Sequence, residues 1–276
     1  MPSLFARDIQ VVVLSSGSAG NCTYIGDGSA GLLIDCGVST RQILTRMTAV
    51  GLERAPIDGV LITHEHSDHV GAARVLADTL RKKRERPVPF FMTAGTSHAL
   101  PPQCRPDGVE TIEPGKSFRI RHFEVEAFSV PHDAADPVVY RVRIGGTAVG
   151  VVTDLGRPTS LVETLLRTLS VAVLEFNHDV DLLMHGSYPW PTKQRIRGNH
   201  GHLSNDQAGE LLGRGAGEGL KHVVLAHLSA ENNRPEKALA SAARALTVAG
   251  ADGRAALHVA RQDTPLPPVR VRAEAW

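Results

Sequence analysis

Residues 61–69 read LITHEHSDH, in which an apolar start is followed by three histidines and an aspartate. Its apolar start is typical of a buried strand, and a helical pattern follows its last residues. His64 and His66 are two residues apart, so in extended backbone their side chains point to the same side and can share one metal ion. Asp68 and His69 follow at the point where the chain turns into a helix. Their side chains therefore point in another direction and can bind a second metal ion. We therefore predict a strand-to-helix turn that presents metal ligands.

Three histidines and one aspartate at fixed places within six residues are rare by chance. With 13 histidines among 276 residues, the expected number of accidental matches is on the order of one in a thousand. The competing interpretation is a polar surface turn in which Asp68 only caps the following helix. Nitrogen and carboxylate donors of this mix favour zinc, manganese or iron, so the sequence predicts one of these metals.

The composition of the chain excludes several classes of protein. Thirty basic residues balance 29 acidic ones, which excludes a simple polybasic nucleic-acid binder and an acidic disordered protein. Aromatic residues make up only 4%, which argues against a single-strand binder built from several stacking platforms. Three cysteines without metal spacing predict a reducing, cytoplasmic compartment. The N-terminal apolar run is too short for a signal peptide, and no stretch reaches the roughly 20 apolar residues of a membrane span, so no membrane partner is expected.

Apolar, β-branched runs alternate with helical periods along the chain. Strands are predicted at residues 9–14, 31–34, 59–62, 88–92, 123–130, 138–144, 148–152, 171–174 and 223–226. Helices are predicted at residues 39–50, 68–83, 160–169, 205–212 and 235–249. This order predicts a single α/β domain over residues 1–276, with sheets covered by helices on their outer faces. The Pro-rich residues 264–276 are expected to form a loose C-terminal tail.

The motif HEHSDH at residues 64–69 resembles the HxHxDH signature of the metallo-β-lactamase superfamily. It follows the sequence LIDCG at residues 33–37 and a helical pattern, as it does in that family. The resemblance implies an αβ/βα four-layer sandwich with two divalent metal ions at one edge. It also implies three more ligands, each after an apolar strand downstream, namely His132, Asp154 and His227.

The resemblance divides the ligands into one triad for each ion, namely His64, His66 and His132 for the first and Asp68, His69 and His227 for the second. Asp154 would bridge the two ions. Asp68 would also orient the nucleophile, which makes it a catalytic residue. Two divalent ions about 3.5–4 Å apart can clamp an in-line displacement at phosphorus.

Five further motifs narrow the resemblance to the YycJ/WalJ branch of the superfamily. They are SSGSAGN at residues 15–21, EFNHD at 175–179, YPWP at 188–191, GHLSN at 201–205 and HLSAENN at 227–233. Members of this branch are cytoplasmic bacterial hydrolases regarded as 5′-to-3′ exonucleases on double-stranded DNA. The resemblance therefore implies a metal-dependent phosphodiesterase whose substrate is DNA.

The remaining candidate residues concern the leaving group and the phosphates. His202 lies in a turn that opens a helix, and it is the candidate catalytic residue that protonates or stabilises the leaving oxygen. The competing interpretation of His202 is a helix-entry residue hydrogen-bonded to backbone. A basic stretch just before His202 and two asparagines after the last ligand are expected to contact phosphates. These substrate-binding residues are Lys193, Arg195, Arg197, Asn232 and Asn233.

Two other functions stay open. A hydrolase of this superfamily can instead act on a small thioester, lactone or lactam, and Asp154 does not separate thioesterases from phosphodiesterases. A true β-lactamase is disfavoured, because it normally carries a secretion signal and lacks an aspartate at this position. A binding module with a structural zinc ion would use a closed, sulfur-rich site, unlike seven nitrogen and oxygen ligands. The sequence leaves the oligomeric state undetermined.

Overall fold

Two seven-stranded sheets form the frame of residues 8–84 and 87–272, the part of the chain that the computed structural model describes. The first sheet has the order β14-β1-β2-β3-β4-β5-β6 and contains β1 (Asp8–Ser15), β2 (Cys22–Gly26), β3 (Gly31–Ile34), β4 (Gly59–Leu61), β5 (Phe90–Thr93), β6 (Val109–Ile112) and β14 (Val269–Arg272). The second has the order β13-β12-β11-β10-β9-β8-β7 and contains β7 (Ser117–Ile120), β8 (Phe123–Ser129), β9 (Val138–Ile144), β10 (Thr147–Val152), β11 (Val171–Glu175), β12 (His222–Ala226) and β13 (Ala256–Val259).

The α-helices of the described residues cover the outer faces of the sheets or lie in the loops that connect the strands. They are α1 (Thr40–Ala49), α2 (Ser67–Val70), α3 (Ala73–Arg84), α4 (Ala94–Ala99), α5 (Ser160–Leu166), α6 (Val180–His185), α7 (Trp190–Arg197), α8 (Asn205–Gly215) and α9 (Pro235–Val248). Side chains of α1 and α3 pack on the first sheet, and those of α5, α8 and α9 pack on the second. A third hydrophobic cluster joins the inner faces of the two sheets. The predicted four-layer α/β sandwich is therefore confirmed.

Strand β1 shows why both faces of the sheets are buried. Val11 and Val13 point into the cluster between the sheets, whereas Val12 and Leu14 point into the cluster under the helices. Successive side chains of a strand point to opposite faces, so a strand buried on both sides needs a continuous apolar run. Runs of this kind are the pattern by which the sequence predicted the central strands.

The parallel strands bring their carboxyl ends to one edge of the sandwich. Strands β3 to β6 are parallel to one another, and so are β10 to β13. Strand β8 runs in the same direction as β10, because both are antiparallel to β9. Loops that leave β8, β10, β11 and β12 therefore open at the same edge. His64, after β4 of the other sheet, lies close to residues of these loops, so the two sheets share this edge.

The helix predicted over residues 68–83 is two helices in the structure, α2 and α3. Asn21 donates its amide hydrogen to the carbonyl oxygen of Asp68, and Ala72 donates its own to the carbonyl oxygen of Cys36. These bonds to other loops replace the regular bonds of a continuous helix. Tertiary hydrogen bonds of this kind leave no trace in the local apolar period, so the break could not be predicted.

The C-terminal segment contains a paired strand, so the expectation of a loose tail is wrong for residues 269–272. Strand β14 pairs antiparallel with β1, with Val269 opposite Val11 and Val271 opposite Ile9. The two β14 valines are buried and alternate with exposed arginines, which is the period of a half-buried strand. The prolines between residues 265 and 268 are typical of loops, so this short alternation was not predicted to be a strand. Residues 273–276 of the predicted tail lie outside the described residues.

Within residues 8–84 and 87–272, no helix is long and apolar enough to cross a membrane. Cys22, Cys36 and Cys104 are all free and buried. The single domain over residues 1–276 stays a prediction, because it includes residues outside the described ranges.

Candidate metal centre

The loop after β4 and the short helix α2 place the HEHSDH motif at the shared edge. His64 Nε2 lies 3.0 Å from His66 Nδ1, so the two rings converge as their spacing predicted. In α2, His69 Nε2 lies 3.4 Å from Asp68 Oδ2. His64 and His69 are buried, whereas Asp68 keeps part of its carboxylate accessible. The motif thus presents donor atoms towards a partly open site.

Three further predicted residues follow β8, β10 and β12 and reach the same place. His132 Nε2 lies 4.0 Å from Asp154 Oδ1, and His227 Nε2 lies 3.5 Å from the same oxygen. The second carboxylate oxygen, Asp154 Oδ2, lies 3.3 Å from His69 Nε2. Asp154 therefore stands between histidines from three loops, which is the place that a bridging ligand needs.

Donor atoms of the cluster fall into sets whose members lie within 4.8 Å of one another. Three of these sets are His64 with His66 and His132, Asp68 with His69 and His227, and His64 with His69 and Asp154. The first two sets are the triads that the resemblance implied, and the third contains the implied bridge. The structure brings all seven positions together, and their binding of metal stays a prediction.

The chemistry of the cluster fits divalent metal ions. Within the described part of the chain, His132 Nε2, His227 Nε2 and Asp154 Oδ2 are buried and make no hydrogen bond. Each unpaired buried polar atom costs about 1–3 kcal/mol, so three at one place indicate a missing ligand. Imidazole nitrogens and carboxylate oxygens are donors that zinc, manganese and iron accept.

Asp35 is a buried carboxylate that orients two of the histidines. Its Oδ2 lies 2.8 Å from His69 Nδ1, which leaves the other ring nitrogen facing the cluster. Its oxygens also accept the Thr63 hydroxyl hydrogen, and Thr63 Oγ1 lies 3.0 Å from His64 Nδ1. Such outer contacts fix the tautomer and direction of a metal-ligating ring. Asp35 stands within the LIDCG motif, and the sequence predicted no role for it.

Backbone carbonyl groups orient two more of the rings. His66 Nε2 lies 3.2 Å from the carbonyl oxygen of Asp133, and His132 Nδ1 lies 3.1 Å from that of Gly201. A ring nitrogen that donates to a carbonyl carries the proton, so the opposite nitrogen is free to bind a metal. That nitrogen is Nδ1 in His66 and Nε2 in His132, and both face the cluster.

Unusual backbone conformations concentrate at the site. Four non-glycine residues in the described ranges have positive φ, and three of them are Asp35 at 60°, Asp154 at 63° and His227 at 54°. Each follows the end of a strand directly or after one residue. A left-handed conformation costs roughly 1–2 kcal/mol for an ordinary side chain. Strain of this kind is typical of residues whose direction matters for function.

Burial keeps the rings of His64 and His132 uncharged. Burial, followed by the neighbouring charge of His69, lowers the pKa of His64 well below its usual value. Burial also lowers the pKa of His132, against the opposing effect of Asp154. Both rings are therefore unprotonated near neutral pH, which is the form that binds a metal.

Carboxylates keep the other side of the cluster protonated in the metal-free protein. Burial alone would lower the pKa of His227, but Asp154 and Asp68 outweigh it and raise this pKa to about 10. Burial is outweighed in the same way at His69, where Asp154 and Asp35 raise the pKa. A metal ion that binds here must therefore displace a proton.

Glu175 is a fully buried carboxylate at the end of β11 that holds His202. Its Oε1 lies 2.8 Å from His202 Nδ1, and its Oε2 accepts the amide hydrogens of Leu155 and Leu203. Burial alone would raise the pKa of Glu175, but the adjacent His202 lowers it, so the carboxylate is ionised. His202 is thus held with its proton on Nδ1, beside Asp154 at 3.6 Å. The sequence predicted no role for Glu175.

The basic residues of α7 have different partners. Lys193 donates to the carbonyl oxygens of Met184 and Gly186 at 2.9 and 2.7 Å, so its ammonium group binds the C-terminal end of α6. Arg195 Nε donates to Asp133 Oδ2 at 2.6 Å and stays more than half exposed. Arg197 is also exposed. The two arginines keep the predicted access to phosphates, whereas Lys193 has a structural partner.

The structure contradicts the prediction that Asn232 and Asn233 contact phosphates. Their relative exposures are only 1% and 2%. The Asn233 amide donates to the carbonyl oxygens of Phe176 and Asn177 and exchanges hydrogen bonds with the Asn205 side chain. Asn233 therefore fastens the turn after β12 to the end of β11, and the burial of both side chains keeps them away from substrate.

Comparison with known proteins places this geometry in a family. The model of the beta-lactamase superfamily domain matches residues 31–228. The chain is 32% identical over 258 residues to exodeoxyribonuclease YycJ of Bacillus anthracis, covering 92% of this chain and 96% of the relative. It is 33% identical over 231 residues to exodeoxyribonuclease WalJ of Streptococcus pneumoniae, covering 82% of this chain and 84% of the relative. The metallo-beta-lactamase fold protein YhfI of Bacillus subtilis has the same fold, with a TM-score of 0.71, 16% identity, and coverage of 94% of this chain and 99% of that one.

Proposed function

The chain belongs to the metallo-β-lactamase superfamily, and on this premise we propose that it is an exodeoxyribonuclease with two divalent metal ions at its centre. The observation that carries the proposal is the meeting of two ligand triads at Asp154, where buried donor atoms lack partners. The exodeoxyribonuclease relatives support DNA as the substrate. The finer parts of the proposal are zinc, manganese or iron as the ions, a 5′-to-3′ direction, double-stranded DNA as the substrate and a cytoplasmic location.

The two triads would hold one ion each, namely His64, His66 and His132 for the first and Asp68, His69 and His227 for the second. Asp154 would touch both. Ions held there would polarise the scissile phosphate and an attacking water molecule. The protein contributes fixed donor positions, since Asp35, Thr63 and backbone carbonyls orient the rings.

Asp68 is the carboxylate of the cluster that solvent and substrate can reach. Its side chain is 22% exposed, against 4% for Asp154. Burial alone would raise the pKa of Asp68, but the adjacent His227 and His69 rings lower it well below its usual range. An ionised and accessible carboxylate can accept a hydrogen bond from the attacking water and aim its oxygen at phosphorus.

His202 is the group placed to serve the leaving oxygen. Glu175 holds its Nδ1, so Nε2 is the ring nitrogen left to face the substrate. A neighbouring ionised carboxylate stabilises the protonated ring, which can then give its Nε2 proton to the oxygen that departs. The competing interpretation of His202 as a backbone-bonded helix entry accounts for its amide, which donates to Ile196, but not for its ring.

Digestion of end-labelled duplex DNA tests the proposed function. Duplexes with a 5′-phosphate, labelled at one end or the other, are incubated with one divalent metal at a time beside a thioester substrate. Metal-dependent release of nucleotides from the 5′ end is the expected result. Cleavage of the thioester with no cut in nucleic acid under any metal would overturn the nuclease and leave a hydrolase of small substrates. A cut in closed circular DNA would overturn the exonuclease.

Binding of the two proposed ions is expected to depend on pH to different extents. The first triad contains His64 and His132, which are neutral because burial lowers their pKa, so binding there displaces no proton from them. In the second triad, the pKa of His227 is about 10. The ion must displace this proton, so affinity at that triad should rise at least about tenfold per pH unit between about pH 7 and 9.

Calorimetric titration of the metal-free protein measures this difference. Titrations at three pH values give both affinities, and buffers of unlike ionisation enthalpy give the number of protons released. Two affinities that are both independent of pH would contradict the protonation assigned to His227.

Replacement of Arg195 and Arg197 together by glutamine is expected to weaken DNA binding without slowing the chemical step. KM should rise while kcat changes little. Each lost phosphate contact flattens the logarithmic salt dependence by about 0.9, so two contacts flatten it by about 1.8. Steady-state kinetics at several salt concentrations measure both effects. Arg214→Gln is the control, because Arg214 is an exposed arginine of α8 paired with Glu210. A double variant with the salt dependence of the parent would show that α7 does not follow the DNA.

A further inference from the structure

Trp190, in the YPWP motif, is a feature beside the centre that the proposed function leaves unexplained. Its side chain is 55% exposed, and within residues 8–84 and 87–272 it is the one exposed Phe, Tyr or Trp. It begins α7, a helix in which no residue is buried. Apolar surface held in water is unfavourable. The indole therefore contributes little to the core and is available to a ligand.

Contacts on two sides fix α7 in place. The Lys193 ammonium binds the carbonyl oxygens of Met184 and Gly186, which fastens α7 to the end of α6. Arg195 Nε donates to Asp133 Oδ2 at 2.6 Å on the other side of the helix. A ring presented by a fixed helix loses little freedom when a ligand binds to it.

The same contacts bring α7 next to the metal centre. Asp133, which holds Arg195, has its carbonyl oxygen 3.2 Å from Nε2 of the proposed ligand His66. Trp190 precedes Arg195 by five residues, which is about 7.5 Å along the helix axis. That length equals roughly two nucleotide steps of about 3.4 Å. Because Arg195 contacts the loop that holds His66, we expect a strand with its phosphodiester at the centre to meet the indole within a few nucleotides.

The charge around the indole favours nucleic acid as its partner. Helix α7 contains no acidic residue, and its Arg195 and Arg197 side chains are exposed. Phosphates are attracted to arginine and lysine, while the faces of bases stack on aromatic rings. One indole is a single stacking position, which agrees with the low aromatic content of the chain.

We propose that Trp190 is a base-stacking subsite, on which an unpaired base of the DNA strand lies while that strand is cut at the metal centre. This inference rests on the proposed function, because it names a contact with that substrate. It predicts that ends with unpaired nucleotides bind more tightly than blunt duplex ends.

Fluorescence of Trp190 tests the stacking directly. The chain has two tryptophans, so Trp276→Phe leaves Trp190 as the single indole. This metal-loaded variant is titrated with a 5′-phosphorylated single-stranded phosphorothioate oligonucleotide, which resists cleavage, and with an abasic strand of equal length and charge. Quenching is expected with the first strand and much less with the second. Equal quenching by both strands, or none by either, overturns the proposal whether or not the parent cleaves DNA.

Kinetics separate the subsite from the proposed function. Trp190→Ala is expected to raise KM for DNA with an unpaired end about tenfold, and Trp190→Phe, which keeps a ring, to restore most of the affinity. Leu161→Ala removes another exposed apolar side chain, on α5, and should behave as the parent. If Trp190→Ala and Leu161→Ala share one KM while the parent degrades DNA, the subsite is wrong and the proposed function stands. If the parent degrades no DNA, the proposed function fails and the quenching decides the subsite.

Discussion

Asp154→Asn is expected to lower DNA cleavage by about three orders of magnitude or more and to leave the protein with well under two metal ions per chain. The carboxylate of Asp154 reaches both triads, since its Oδ2 lies 3.3 Å from His69 Nε2 of the second and its Oδ1 lies 4.0 Å from His132 Nε2 of the first. An amide of the same shape presents only one oxygen and no negative charge between two cations. Both ions should therefore lose affinity together, which no ligand of a single triad would cause.

Asparagine is the right replacement because of the backbone at this position. Asp154 has a φ of 63°, a conformation that asparagine tolerates and that costs alanine roughly 1–2 kcal/mol. Asp154→Asn therefore keeps the fold, and circular dichroism and thermal unfolding check that it does. Asp78→Asn, an exposed carboxylate paired with Arg81, is the matched control and should keep metal and activity.

Elemental analysis of both variants, purified with metal supplied, measures the number of metal ions bound per chain. The parent and Asp78→Asn should approach two ions per chain. An Asp154→Asn protein that retains two ions and cleaves DNA within about tenfold of the parent rate would refute the bridging role.

The metal cluster could be predicted from the sequence because its residues follow apolar strands in a fixed order. His132 follows the half-buried strand β8, and Asp154 and His227 follow the mostly buried strands β10 and β12. The common direction of these three strands brings the residues to one edge. Their separation from the HEHSDH motif along the chain does not show that they lie close to it in the folded protein. Only the resemblance joined them to the motif, and the structure then brought them together.

The supporting carboxylates could have been suspected from one pattern. Asp35 follows the fully buried strand β3, and Glu175 ends the fully buried strand β11. Acidic residues are almost never fully buried unless a partner neutralises them. An acidic residue at the end of an apolar run therefore indicates a buried partner, which here is His69 for Asp35 and His202 for Glu175.

Other features were hidden by misleading local composition. Asn232 and Asn233 are polar residues in a loop, so the sequence predicted contact with substrate, yet both are buried, and the Asn233 amide donates to two backbone carbonyls. The helix α7 was not predicted, because prolines at 189 and 191 are typical of turns. Proline is nevertheless compatible with the first turn of a helix, where its missing amide hydrogen has no partner to lose.

His202→Ala is expected to lower kcat for DNA by about 10²–10⁴-fold while both metal ions stay bound. His202 belongs to neither ligand triad, and its ring is held by Glu175 at 2.8 Å. Loss of the ring removes the proton donor for an alkoxide leaving group, which is a poor leaving group without a proton. Elemental analysis and single-turnover kinetics measure metal content and the chemical step separately.

The leaving group of the substrate distinguishes proton donation from a structural role. A nitrophenyl ester of thymidine 5′-monophosphate releases a stable phenolate, which needs no proton in the transition state. If His202 donates a proton, His202→Ala should cleave this ester nearly as fast as the parent does and lose rate only on DNA. Equal losses on both substrates would show that His202 acts by holding the site together.

Glu175→Gln extends the same argument to the carboxylate behind the ring. Glutamine keeps the length of the side chain and an oxygen for the amides of Leu155 and Leu203, so the local fold should persist. It removes the negative charge that faces His202 Nδ1. The rate on DNA should therefore fall, while the rate on the nitrophenyl ester stays near that of the parent. Equal rates of the variant and the parent on DNA would separate Glu175 from the proton transfer.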